Sequence, residues 1–122
     1  LQEKLACNDG THWPMVGALA GRSENTGRLS HFGYIELEAR RAGLYGPAGT
    51  RLRAHEFHYW HSTCEGDAFW AQKPRRDKGW PCMETAPSLA AGYPHVYYPS
   101  APDAARAFVG AAARCAKEAR DE

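Results

Sequence analysis

Apolar and polar positions alternate most clearly over residues 33–39, where Tyr34, Glu36 and Glu38 fall on one side and Ile35 and Leu37 on the other. A period of two marks a strand with one buried face. The aromatic-rich stretch 52–61 reads as the next strand, and residues 68–72 as a short one after it. Met15-Val16-Gly17-Ala18-Leu19, apolar and bounded by Pro14 and Gly21, suits a buried strand. Residues 1–6 read as the last turns of a helix begun upstream, closed by Asn8-Asp9-Gly10. Residues 21–30 read as polar loop, 43–49 as a turn region, 74–79 as a charged connection and 82–86 as a further extended piece. Residues 89–98 form a strand interrupted by Pro94, which places that proline at a strand end or on an edge.

The last element is helical. Ser100-Ala101-Pro102-Asp103 offers an N-cap, a proline in the first turn and an acid at the positive helix end. Ala104, Phe108, Val109, Ala112 and Cys115 then recur at helical spacing as the apolar face. Gly110 weakens the helix by about 1 kcal/mol relative to Ala, and residues 117–122 are expected to fray. The order is therefore a helix end, several β segments and one C-terminal helix. That predicts an α/β or α+β domain built on a single mixed β-sheet with a packed C-terminal helix. Strands and helices alternate less evenly than in a free-standing α/β domain, so the pattern suggests a sheet protein whose opening βα units lie elsewhere. Strands left without neighbours in this way predict self-association into a homo-oligomer.

Composition narrows the class. A chain of 122 residues makes one domain, and a formal charge of +1 with acids and bases interspersed gives no nucleic-acid groove and no anionic-membrane patch. No apolar run reaches the roughly 20 residues of a membrane span. Residues 1–5 carry no basic leader or signal core, and the lack of an initiator Met is expected either of a start inside a longer polypeptide or of a removed tag. Cys7, Cys64, Cys82 and Cys115 are widely scattered with no C-x-x-C pair, which favours reduced thiols and a cytoplasmic setting.

Chemistry concentrates in Arg53-Ala54-His55-Glu56-Phe57-His58-Tyr59, which puts two imidazoles and a carboxylate in a strand that should be partly buried. Glu56 and His58, two apart, share a strand face, where they can orient a group, contact a polar substrate or form a satisfied core pair. The spacing His55, His58, His61, Cys64 would suit a metal on a helix. A strand points His58 away from His55 and His61, so hydrogen-bonded structural histidines are the simpler reading. His95 stands by the end of an extended run just before a helix, the edge at which sites of open α/β sheets sit. His12 and His31 fall in loops without a specific signal. No cysteine has the Gly-flanked turn of an exposed nucleophile, and no Gly-rich loop ends in Lys-Ser/Thr, so there is no P-loop.

Several blocks occur together in a characteristic order: 15–21 (Met-Val-Gly-Ala-Leu-Ala-Gly), Thr26-Gly27-Arg28-Leu29, Phe32-Gly33-Tyr34, His55-Glu56-Phe57-His58-Tyr59, and Tyr93-Pro94-His95 with Tyr98-Pro99-Ser100. With them the chain resembles the C-terminal part of the cobyrinic acid a,c-diamide synthase family, over nearly its whole length. The resemblance implies the second half of a class I glutamine amidotransferase domain across residues 1–122. In that family a separate domain uses ATP and Mg to activate corrinoid carboxylates, and a Cys-His pair releases ammonia from glutamine. The resemblance places the family's catalytic histidine at His95, gives His55, Glu56 and His58 supporting or substrate-contacting roles, and sets the nucleophile upstream of Leu1. The chain alone would then be inactive and hold no cofactor itself. Ala20, Asn25 and Trp60 depart from the usual pattern. Tyr97 stands two residues after His95, where many class I amidotransferases carry a Glu, so the third partner of His95 stays open, with Glu56 as a candidate. Two other readings remain: a free-standing binding or assembly domain, and a small histidine-site metalloprotein.

Overall fold

The computed structural model describes residues 1–121, and its strands divide over three sheets with one C-terminal helix. In chain order the strands are β1 (Lys4–Ala6), β2 (His12–Pro14), β3 (Arg22–Asn25), β4 (His31–Ala39), β5 (Arg51–His58), β6 (Trp60–Ser62), β7 (Phe69–Gln72), β8 (Gly79–Cys82), β9 (Glu84–Ala86), β10 (Leu89–Ala91) and β11 (His95–Tyr97). A 3-10 turn, Tyr98–Ser100, leads into helix α1, Pro102–Asp121. The α/β class is as expected. The strands, however, do not lie in one sheet.

The principal sheet has five strands in the order β11-β5-β4-β7-β8, every neighbour antiparallel. β4 and β5 are the two long strands at its centre, with Leu37 opposite Leu52 and Ile35 opposite Ala54. Their alternation sends Ile35, Leu37, Leu52 and Ala54 to one face, where they pack with Phe69, Ala71, Met83 and Ala104 of α1. The face bearing Tyr34, Glu36, Arg53 and Tyr97 stays open, and Tyr34 is 76% exposed. The second sheet, β2-β1-β3-β6, is mixed, with β1 parallel to β3. Its shortest link to the first is the single residue Tyr59 between β5 and β6. Thr26 N–H donates to Tyr59 O and Ser30 N–H to His58 O across that junction. β9 and β10 form a separate hairpin.

Several local expectations are overturned. Residues 4–6 are a strand, not a helix end: Leu5 pairs with Trp13 on one side and Ser23 on the other. Just before it, the buried Gln2 accepts from Ser23 Oγ–H and donates to Ser62, fixing the segment between β3 and β6. Residues 15–19 are not a buried strand. They run along the outside with Val16 73% exposed, their backbone held by Met15 and Leu19 N–H donating to Glu3 and Leu1 carbonyls. The supposed loop 21–30 contains β3, and the run 89–98 is two strands parted by a bend through Gly92–Pro94.

Ser100 does not cap the helix. Its hydroxyl donates to Tyr97 O and accepts from Arg53 N–H, tying the 3-10 turn to β5. Ala101 O instead accepts the first helical N–H groups, from Ala104 and Ala105. The helix is covered along Ala104, Ala107 and Ala111, with Phe108 stacked against Tyr45, so Val109, Ala112 and Cys115 are exposed. The stripe 104-108-109-112-115 was rotated from the true one, because Ala is too small to reveal which side touches the sheet. Residues 117–121 remain helical; Glu122, the end of the expected frayed tail, lies outside the described residues. No helix among the described residues is long and apolar enough to cross a membrane.

Candidate functional site

β5 sorts the His-Glu-Phe-His motif onto two faces. Glu56 and His58 point with Leu52 and Ala54 to the covered side, whereas His55 and Phe57 point to the open one. The two sides are chemically distinct.

On the open side, β11 brings His95 directly opposite His55, and β4 brings Tyr34 opposite His55 from the other flank. Tyr34 meets the His55 ring edge-on at 5.3 Å, and Phe32 does the same at 5.7 Å. His95, His55, Tyr34, Tyr97, Glu36 and Arg53 border a groove of about 700 Å³, with Pro74 at its rim. His95 is the first residue of β11, not the last of a longer strand as expected. The buried Pro94 just before it cannot donate to a ladder and so marks the start of pairing. An exposed imidazole at a sheet edge, beside a second imidazole and two phenols, can accept and return a proton to a molecule lying in the groove. No cysteine borders this groove.

On the covered side, the Glu56 carboxylate is 2% exposed, and its Oε2 has no hydrogen-bond partner. That oxygen sits 3.6 Å from His31 Nδ1 and 3.7 Å from His58 Nε2, beyond hydrogen-bond reach but within electrostatic range. Burial pushes the Glu56 carboxyl above its ordinary range, and neighbouring His58 opposes that shift. Burial likewise pulls the His31 imidazole below its ordinary value, against the pull of Glu65. His58 is held on several sides. Its Nδ1 lies 2.6 Å from Trp60 O, Tyr93 stacks flat on it at 3.9 Å, and His31 stacks at 5.6 Å. Trp80 closes over His31 at 4.3 Å. Lys73 reaches beneath Gly33, donating to Phe32 O and Tyr34 O.

His55 and His95 are thus brought together, and Glu56 and His58 are brought together, but the two pairs are on opposite faces. Glu56 is therefore not the third partner of His95. His31 opens β4 opposite His58 rather than lying in a loop, and His12 is in β2. Neither placement is visible without the register, since nothing local marks where β4 starts. The four-residue metal spacing does not converge: His55 and His58 diverge, and His61 pairs with Glu65 at 3.1 Å. Among the described residues no three His, Cys, Asp or Glu side chains form a metal-holding group. Cys82 lies on β8, at the opposite edge of the sheet from β11, with burial pushing its thiol up to about 12. The groove residues Glu36, Arg53 and Tyr34 escaped notice as site residues, because on sequence alone they read as an ordinary solvated strand face.

No family model and no solved structure matches the chain. Among curated proteins, the cobyrinate a,c-diamide synthase of Syntrophotalea carbinolica is 37% identical over 116 residues, covering 89% of this chain and 25% of that enzyme. The cobyrinate a,c-diamide synthase of Haloarcula marismortui is 37% identical over 71 residues, covering 58% of this chain and 16% of the relative. That of Streptococcus sanguinis is 43% identical over 51 residues, 42% of this chain and 11% of the relative. The chain spans a quarter or less of the length of these relatives.

Proposed function

We propose, from its kinship with one part of the cobyrinate a,c-diamide synthases, that this chain supplies the histidine half of a glutamine-hydrolysing site that feeds ammonia to corrinoid carboxylates. The observation that carries the reading is His95, exposed in the groove directly across from His55, and the motif around it is the one in which the family resemblance expects the catalytic histidine. The cysteine would come from outside these 122 residues. His95 takes the thiol proton as sulfur bonds to the side-chain amide carbon of glutamine, then gives that proton to the departing nitrogen as the C–N bond breaks. Water then cleaves the thioester to glutamate, with the same imidazole as base. His55, whose ring is braced by Tyr34 and Phe32, contacts substrate or steadies His95. Glu56 and His58 work from the covered face, where His58 grips Tyr93, two residues ahead of His95.

ATP, with Mg as its cofactor, is used by a different part of the enzyme in this reading, as no Gly-rich loop ending in Lys-Ser/Thr occurs in the sequence. The isolated chain is then inactive toward both ATP and glutamine, works in the cytoplasm, and its open sheet face and edges favour a homo-oligomer or larger assembly. The test is a chimera in which this chain replaces the matching quarter of the Syntrophotalea carbinolica enzyme. His95→Ala should cut its glutaminase rate roughly 10²–10⁴-fold with the fold intact, and His58→Ala should cut it less. Near-normal turnover in His95→Ala would overturn the assignment.

A further inference from the structure

The open face of the principal sheet carries two cross-strand rows of opposite charge, and they behave differently. In one row Glu38 stands opposite Arg51, and the pair is closed: Arg51 Nη2 lies 2.9 Å and Nε 3.0 Å from Glu38 Oε2. Two residues along, Glu36 stands opposite Arg53 in the same register and on the same face. Among the described residues neither of these side chains makes an ion pair or a side-chain hydrogen bond. Directly opposed residues have Cβ atoms about 4.5–5.5 Å apart, so the Glu36–Arg53 pair has the reach to close as its neighbour does. It stands open where it borders the groove that holds His55 and His95.

We propose that Glu36 and Arg53 are the recognition pair for the zwitterionic head of a free α-amino acid, with Arg53 taking the α-carboxylate and Glu36 the α-ammonium. The inference rests on the reading of this groove as the glutamine-hydrolysing site, and it identifies which residues choose the substrate. Guanidinium meets carboxylate through two parallel N–H bonds, and carboxylate accepts from ammonium, so an acid and a base side by side that do not close on each other match the two charges of a zwitterion. The polycarboxylate co-substrate of the proposed reaction has no ammonium group to satisfy Glu36, which would repel it.

The spacing also fits. The charged row Tyr97–Arg53–Glu36 and the imidazole row His95–His55–Tyr34 are two residues apart along β5, which is about 6.6–6.8 Å in a strand. Glutamine extended from its α-carboxylate to its side-chain amide spans roughly 6 Å, given C–C bonds of about 1.5 Å. Its head on the charged row therefore puts its amide at the histidines. Tyr34 and Tyr97 flank the line between them. Arg53 is held in register for this task by its own N–H, which donates to Ser100 Oγ at 3.0 Å.

The first test uses the chain itself, ¹⁵N-labelled, titrated with L-glutamine, with glutaramate (no α-ammonium) and with 4-aminobutanamide (no carboxylate). L-Glutamine should shift the signals of Arg53, His55 and His95, and each analogue should bind about 10- to 100-fold more weakly, the loss of one charge-assisted contact. Arg53→Gln should weaken glutamine by the same factor while leaving 4-aminobutanamide unchanged. Glu36→Gln should weaken glutamine while leaving glutaramate unchanged. Both positions are exposed on a strand, so circular dichroism should match the parent. Glutamine that fails to bind, or binds equally well to both variants, overturns the proposal.

The second test, in the chimera, separates this inference from the reading beneath it. Arg53→Gln and Glu36→Gln should raise KM for glutamine with kcat nearly kept, because they touch the head and not the reacting amide. A dead His95→Ala alongside wild-type KM in both charge variants would sink the recognition pair alone. An active His95→Ala would sink the hydrolase reading, whatever the charge variants do.

Discussion

Replacing Glu56 by Gln should stabilise this protein at neutral pH. The Glu56 carboxylate is 2% exposed, its Oε2 is unpartnered, and the nearest imidazole nitrogens, at 3.6 and 3.7 Å, are too far for hydrogen bonds. A buried polar group left unsatisfied costs about 1–3 kcal/mol, more when it is charged. Gln keeps the shape, removes the charge and offers an N–H₂ that a small shift would aim at His31 or His58. A gain of about 1–2 kcal/mol is expected, which for a domain of this size raises Tm by about 3–6 °C per kcal/mol. The sign with pH follows from linkage. The folded carboxyl titrates above its ordinary value of 4.5, so between the two values the folded state binds more protons than the unfolded one. The stabilising contribution of protonated Glu56 is therefore complete below 4.5 and lost as pH rises through the folded value. His31 acts in the opposite sense: its lowered value makes stability fall as pH drops below 6.5, and it does so in both proteins. Urea unfolding of parent and variant from pH 4 to 8 should thus show the advantage of Glu56→Gln growing with pH, by at most 1.36 kcal/mol per unit. A variant destabilised at pH 7, or a difference flat with pH, would refute the claim that this carboxylate is strained by its burial.

Gly66 has φ +80°, and a Cβ there would collide with the Met83 backbone carbonyl, so Gly66→Ala should cost roughly 2–4 kcal/mol in chemical denaturation. Gly27 has φ +65° and open space around it, so Gly27→Ala should cost only about 1–2 kcal/mol; equal losses at the two sites would contradict the steric argument. With the Cys82 thiol buried and pushed up to about 12, iodoacetamide at pH 8 should label the exposed Cys64 and Cys115 and spare Cys82 until the protein unfolds. Mass spectrometry of the alkylated native protein decides that point, and rapid labelling of Cys82 would show that β8 opens.

What could be read from the sequence was what alternates. Residues 33–39 declare their faces because Ile35 and Leu37 alternate with Tyr34, Glu36 and Glu38, and the structure puts Ile35 and Leu37 in the core accordingly; in 52–58 the aromatic content marks a strand, and Leu52 and Ala54 join that core. The short strands could not be read in this way. β1, β2, β3 and β6 have three or four residues each, too few to show a period, and they are set by pairing with distant partners such as Ser23 with Ser62. Residues 15–19 mislead for a complementary reason: apolar composition measures a tendency to be covered, and among the described residues, 15–18 are left exposed and only Leu19 is half-buried. The candidate site divides along the same line. His55, Glu56 and His58 stand out because ionisable residues in an aromatic strand are costly, and His95 by its place before a helix and by the family resemblance, whereas His31, Glu36 and Arg53 become visible only once register places them opposite the others.

Register also explains how one short motif can serve two ends. In His55-Glu56-Phe57-His58 the pleat assigns odd positions to the open face and even positions to the covered one, so a one-residue slip of β5 against β4 would exchange them. The slip is opposed from both faces. It would drive Leu52 and Ala54 into water and Arg53 into the core, and it would break the flat stack of Tyr93 on His58. Glu56 is thus buried where it costs free energy, and the covered face it shares with His58 holds the register that sets His55 opposite His95. The unpartnered carboxylate is then a strain confined to one covered residue, held there by the register that the rest of the strand enforces.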